Sequence, residues 1–231
     1  MSQFSDHKLL IDVGNSNIKW SFMGDYSSTS VTDFRVDMLP NSDNTWASCV
    51  AHCDILAGAD NINYVDPDYQ SFGLECGYDN PQELGTDRYL GLVAAKDLYK
   101  NNNIVIVDVG SAVTFDVLLS SGLHSGGLIM PGLSALRSSF DKFSTNDQSD
   151  QAAPVARSTK DAWMSGTNLM LINAIKLQID GYKDMYADST IIFTGGGAQK
   201  VLRRLSGNHK YHEDLVLYGL SIYAQSIIKK L

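Results

Sequence analysis

A chain of 231 residues, 44% of them hydrophobic and 19% charged, is too apolar for disorder and long enough for one large domain or two lobes with a shared cleft. Its 26 acidic side chains outnumber 18 basic ones, and the formal net charge of -8 leaves no basic surplus to neutralise nucleic-acid phosphates. A small anionic ligand held by a few local groups stays open. Cys49, Cys53 and Cys76 have no CxxC spacing and lie among apolar or small residues, so the expectation is buried free thiols in a reducing cytoplasm. No second His or acidic cluster joins His52 in a ligand set. Residues 1–7 lack the basic-then-apolar pattern of a signal peptide, and no apolar run reaches membrane-spanning length; a soluble, cytoplasmic chain is expected.

Residues 8–66 read as mostly strands, at 8–12, 17–23, about 29–36, 45–51 and 62–66. Between the first two, Gly14-Asn15-Ser16-Asn17 is tight-hairpin chemistry, with Asp12 at the strand end. Such a turn can aim backbone N–H groups and short polar side chains at a phosphate, and a carboxylate beside a phosphate calls for a cation between them, usually Mg²⁺. An ordinary hairpin with Asp12 as a turn acceptor fits the same residues. A loop at 67–83 leads to Gly85-Thr86-Asp87-Arg88, which opens a helix running to about Lys100. Thr86 as N-cap and Asp87 as a dipole-complementing charge would explain that start without any catalysis.

The second half begins as the first did. A buried strand at 104–108 ends in Asp108-Val109-Gly110-Ser111, and another strand follows at 112–119. The shared position of the two Asp-x-Gly turns within strand–turn–strand units argues for a duplicated lobe, with the boundary at 101–103 giving lobes 1–103 and 104–231. The last helix is then free to pack back on the first lobe. Gly126-Gly127-Leu128-Ile129-Met130-Pro131-Gly132 leads into a helix expected to reach about Phe143, followed by a polar loop at 144–154. Ser158-Thr159-Lys160-Asp161 fits a capping box opening a long helix to about Tyr186, with a bend at Gly166. A strand at 190–194 runs into Thr194-Gly195-Gly196-Gly197-Ala198 and a short helix, and residues 213–229 make a last amphipathic helix. Bare glycines at a strand-to-helix turn let a flat base or a ribose approach the backbone. The loop is neither Walker A nor GxGxxG. Each of these turns taken alone also has a purely structural reading.

The order of Asp-x-Gly-Asn-Ser, Asp-x-Gly-Ser and Thr-Gly-Gly-Gly resembles the phosphate-1, phosphate-2 and adenosine motifs of the acetate kinase/sugar kinase/Hsp70/actin superfamily. With Gly85-Thr86-Asp87-Arg88 and Gly126 to Gly132 included, the chain is most similar to type III pantothenate kinases, over nearly its whole length. The resemblance implies an α/β fold of two ribonuclease H-like lobes with a nucleotide cleft between them. It implies ATP-dependent phosphorylation of the primary hydroxyl of pantothenate, the first committed step toward coenzyme A. Asp12, Val13, Gly14, Asn15, Ser16, Asn17, Ile18 and Lys19 would form the first phosphate loop, with Asp12 near Mg²⁺. Asp87 would be the general base, kept ionised by the helix N-terminus, and Gly85, Thr86 and Arg88 would line the substrate. Asp108 would hold K⁺ or NH₄⁺, Ser111 would touch ATP, and Gly195 and Gly196 would face the adenosine. Tyr78 and Thr159 match further pantothenate contacts, and the family forms homodimers. Ser16 and Ser111 stand where the family more often has Thr; Ser keeps the hydroxyl and loses only a methyl. Two other readings share the nucleotide turns: a non-catalytic actin-like regulator, which has no need of Gly85-Thr86-Asp87-Arg88, and a kinase of another small alcohol.

Overall fold

In the computed structural model the described residues are 7–150 and 153–229. Residues 1–6, where a leader was sought, lie outside them, as do 151–152 of the expected polar loop and 230–231. The chain divides into two compact units: Met1–Lys100 with Gly122–His124 and Asp214–Leu231, and Asn101–Ser121 with Ser125–Glu213.

The first unit is built on β1 (Leu9–Val13), whose five residues are all buried, as befits a central strand covered on both faces. It pairs antiparallel with β2 (Asn17–Phe22) and parallel with β4 (Thr45–Cys49); β3 (Asp25–Ser30) and β5 (Ile62–Tyr64) complete the order β3-β2-β1-β4-β5. Leu9, Ile11, Val13, Ile18 and Trp20 pack on one face with Phe34 and Leu56. The opposite face meets α1 (Thr86–Leu98) and α5 (Leu215–Ile228), where Trp46 of β4 sets its ring edge-on to Tyr223 at 6.0 Å. These two helices cross so closely at Gly219 that a Cβ there would lie 2.0 Å from the Leu90 carbonyl oxygen. The hydroxyls of Tyr89 and Tyr223 bond the backbone of Asp68 and Asp66 and hold the long loop against the helices. Within that loop β6 (Glu75–Cys76) pairs in parallel with Leu123 and His124.

The second unit repeats the plan. Its β7 (Ile104–Val109) pairs antiparallel with β8 (Ala112–Leu118) and parallel with β10 (Thr190–Thr194), as β1 does with β2 and β4. β9 (Leu123–Pro131) lies beyond β8, and β11 (Lys210–Tyr211) beyond β10. Val105, Val107, Val113, Phe115 and Val117 form the core with Leu171, Ile175 and Ile179 of α3 (Thr159–Met185). The remaining helices are α2 (Leu133–Ser138) and α4 (Ala198–Leu202).

Several expectations need correction. The third strand lies at 25–30 and not 29–36, because Met23 and Gly24 (φ 52° and 91°) form a two-residue hairpin turn that starts it at once. The helix after Gly132 stops at Ser138, where the Ser138 and Ser139 hydroxyls bond carbonyls of their own turn, and a 3-10 turn follows at Asp141–Phe143. The glycine-rich run before it is strand β9. α3 runs unbroken through Gly166. Finally, Cys49 and Cys53 are joined in a disulfide, since β4 ends at Cys49 and the next turn returns the chain to a Cα separation of 5.8 Å. Cys76 alone is a free thiol, half-buried. The bonded pair withdraws the free-thiol argument for a reducing compartment. No helix among the described residues is long and apolar enough to cross a membrane.

Candidate active site

In the first unit, the β1–β2 turn is closed by Gly14 N–H donating to the Asn17 carbonyl at 3.1 Å, leaving Asn15, Ser16 and Asn17 exposed. Ile18 and Val13 are in the core, so they serve the turn as anchors. Asp12 is buried at the strand end, and its cross-strand neighbours are Lys19 of β2 and Ser48 of β4. Directly paired residues share a sheet face. Asp12, Lys19 and Ser48 therefore belong to the face that carries α1.

Ser48 ties this strand end to the helix start, because its Oγ lies 3.2 Å from Thr86 Oγ1. Thr86 also donates to the Cys49 carbonyl at 3.4 Å. Thr86 is thus the first helical residue and a tether to β4, while the N-cap is Gly85, which corrects the capping role considered for Thr86. Asp87 turns its carboxylate back over the helix start, where Oδ1 accepts from Arg88 N–H at 2.7 Å. A Cβ at position 85 would lie 2.5 Å from that oxygen, so glycine is what leaves room for the carboxylate. The positive end of the α1 dipole sits directly beneath it.

Arg88 is 8% exposed, and its Nη1 donates to the Tyr78 hydroxyl at 2.8 Å. The Tyr78 ring in turn lies 5.5 Å from the His124 ring, tilted by 33°. Gly85, Thr86, Asp87, Arg88 and Tyr78 are therefore one cluster, adjoining the strand end of Asp12. His124 belongs to it too, and sequence reasoning missed it. A lone His in a strand masked by glycines carries no signal of its own.

In the second unit, Asp108 ends β7 with Thr194 and Thr114 as its register partners. Three segments interlock around it. Gly197 N–H donates to the Val109 carbonyl at 2.8 Å, and Gly132 N–H to that of Ser111 at 3.1 Å. A Cβ at Gly195 would sit 2.2 Å from Asp108 Oδ1, and one at Gly132 would sit 2.5 Å from the Gly110 and Ser111 carbonyl oxygens. Ser111 and Gly196 are exposed at the rim of this knot. Thr159 is exposed in the first turn of α3, where the Ser158 hydroxyl accepts from Asp161 N–H at 3.1 Å as the capping-box reading required. A buried Arg137 donates to carbonyls of Asp147, Ser149 and Met164 and pins the following loop. Burial pushes its guanidinium below the usual range, and Asp147 and Asp150 work against that shift.

No group of three His, Cys, Asp or Glu side chains among the described residues could hold a metal by itself. A single strand-end carboxylate suits Mg²⁺ all the same, since that ion takes hard oxygen donors, keeps several waters and draws its other ligands from phosphates.

Strand-end carboxylates followed by polar glycine turns, built into each of two units of like topology, go with the actin-like ATPase and sugar kinase fold. Solved structures of similar fold include a Campylobacter jejuni protein described as a Baf family transcriptional activator (TM-score 0.65, 24% identity, covering 96% of this chain and 100% of that one). Another is the activator of 2-hydroxyisocaproyl-CoA dehydratase from Clostridium difficile with bound ADPNP (TM-score 0.52, 10% identity, 97% of each chain). The family model for type III pantothenate kinase matches residues 49–181, and this chain belongs to that family. Relatives named type III pantothenate kinase include those of Nitrosococcus oceani, 28% identical over 252 residues (96% of this chain, 95% of that one), and of a Marinomonas species, 29% identical over 233 residues (93% of each).

Proposed function

We propose that this chain transfers the γ-phosphoryl group of ATP to the primary hydroxyl of pantothenate, giving 4'-phosphopantothenate and ADP on the way to coenzyme A. Beyond family membership, the observation that carries this reading is the junction of Asp12, Ser48 and Thr86. Asp12 is the register partner of Ser48, whose Oγ lies 3.2 Å from Thr86 Oγ1, and Asp87, assigned to the acceptor side, follows Thr86 in the chain. Phosphoryl transfer through a loose transition state needs positioning and charge neutralisation more than covalent help. Asp87 accepts the hydroxyl proton as the new oxygen–phosphorus bond forms and the bond to the ADP oxygen breaks. Arg88 offers its fork to a carboxylate or phosphate oxygen of the acceptor, steadied by Tyr78, with Gly85, Thr86 and Thr159 as further substrate contacts. The turn from Asp12 to Lys19, Ser111, Gly195 and Gly196 are assigned to ATP. Asp12 would hold Mg²⁺, which neutralises phosphate charge, and Asp108 would hold K⁺ or NH₄⁺, screening its carboxylate from the nucleotide.

The test is ATP-dependent phosphate transfer to pantothenate in K⁺, in NH₄⁺ and in Na⁺ alone. Turnover in the first two and little in the third is the expected result. Folded protein that binds ATP and leaves pantothenate untouched in all three salts would return the regulator, or a kinase of another alcohol, to first place.

We also propose a homodimer, paired through α3. Along α3, Met164, Leu171 and Ile175 are buried in the unit's own core. Met170, Leu177 and Met185 are 53%, 75% and 64% exposed and lie at helical spacing on one face, where Gly166 and Gly181 leave open space. Leu177→Glu is expected to convert a dimer to a monomer in light scattering while leaving each chain folded; a mass unchanged by the substitution would move the interface elsewhere. A cytoplasmic location goes with this biosynthetic reading.

A further inference from the structure

We infer that His124 is a positioning residue for the acceptor end of the site, acting on pantothenate through Tyr78 and Arg88. The inference rests on the proposed function for the identity of that acceptor. The imidazole is wholly buried, and its ring is tilted only 33° against that of Tyr78 at 5.5 Å. Tyr78 stands between His124 and Arg88, whose Nη1 donates to the Tyr78 hydroxyl and whose Cζ is 5.5 Å from the ring centre. Ordering the long stem of Arg88 costs rotamer entropy, and a guanidinium held in one orientation before the substrate arrives spares the ligand that cost. The tilted ring of His124, packed against that of Tyr78, fixes its plane and, with it, the place of the hydroxyl that Arg88 grips.

The backbone that carries His124 is itself fixed. Glu75 N–H donates to the Gly122 carbonyl at 2.9 Å, and Cys76 is the register partner of His124. At Gly122 (φ 100°) a Cβ would lie 2.1 Å from the Gly73 carbonyl oxygen, so the segment is pressed against the loop that leads to Tyr78. A spacer of the same volume would fill the core, but only a flat ring can hold another ring's plane.

The experiment measures KM and kcat for both substrates in the wild type, His124→Ala, His124→Leu and His124→Phe. Loss of the flat ring in the Ala and Leu variants is expected to raise KM for pantothenate about five- to tenfold, with kcat and KM for ATP changed less than about twofold. His124→Phe keeps a flat ring and is expected to restore most of that loss. The Leu variant fills the space, so it answers the question even where the Ala variant does not fold. An unchanged pantothenate KM in folded Leu variant overturns the inference, as does a fall in kcat with both KM values together, or a Phe variant no better than Leu. Wild-type protein that turns over no pantothenate removes the proposed function first, and the inference with it.

Discussion

Asp87→Asn is expected to lower kcat for pantothenate phosphorylation by about a thousandfold, within the 10²–10⁴ range that a positioned general base supplies. The substitution is nearly isosteric and keeps an oxygen able to accept from Arg88 N–H, the bond Asp87 Oδ1 makes at 2.7 Å. Gly85 leaves the same room for the amide as for the carboxylate, and the Thr86 tether to Ser48 is untouched. What is lost is the negative charge and the proton acceptor. KM values and melting temperature are therefore expected to stay near wild type, so the loss falls on the chemical step. Steady-state kinetics with a thermal melt on the same samples make the check. If activity stays within tenfold of wild type, Asp87 is a helix-start charge and the base lies elsewhere.

The nucleotide-side elements were legible in the sequence for a physical reason. β1 and β7 are buried on both faces, so they appear as unbroken apolar runs, and the aspartate, glycine and small polar residues that end them stand out. Gly85 to Arg88 was legible as a helix start, though Thr86 turned out to serve the tether to Ser48 and Gly85 the cap. The elements that escaped lack such contrast. β9 carries two glycines, and its Leu128 and Ile129 are 40% and 65% exposed, so no burial pattern marks it as a strand. β3 is almost wholly polar, and only its turn places it. The Cys49–Cys53 bond depends on how a short turn folds back, which spacing in the sequence does not reveal. His124 becomes a site residue only when β9 is laid beside β6, a pairing between segments far apart in the chain.

Adjacent glycines of the loop proposed to face adenosine are expected to respond in opposite ways. Gly195 adopts φ 89°, and a Cβ there would lie 2.2 Å from Asp108 Oδ1 and 2.7 Å from the Val109 carbonyl oxygen. That carbonyl cannot withdraw without breaking its bond from Gly197 N–H at 2.8 Å. Gly195→Ala therefore combines a left-handed backbone strain with a collision against a backbone atom and a carboxylate. Together these are expected to cost about 3 kcal/mol of stability and to weaken ATP binding by two orders of magnitude or more, by roughly the scale of such effects at strained sites. At Gly196 the φ is ordinary and a Cβ would meet nothing within 4 Å. Gly196→Ala is expected to melt within about 0.5 kcal/mol of wild type, as surface substitutions do. Since Gly196 is assigned to the adenosine, its added methyl should nevertheless raise KM for ATP by several-fold and leave KM for pantothenate alone. Paired thermal melts and ATP titrations of the two variants make the comparison. Equal stability in the two variants would refute the close packing of Gly195 on Asp108, and an unchanged ATP KM in Gly196→Ala would move the adenosine off this loop. The contrast separates a glycine required by the fold from one required by the ligand, which a single glycine knockout cannot do.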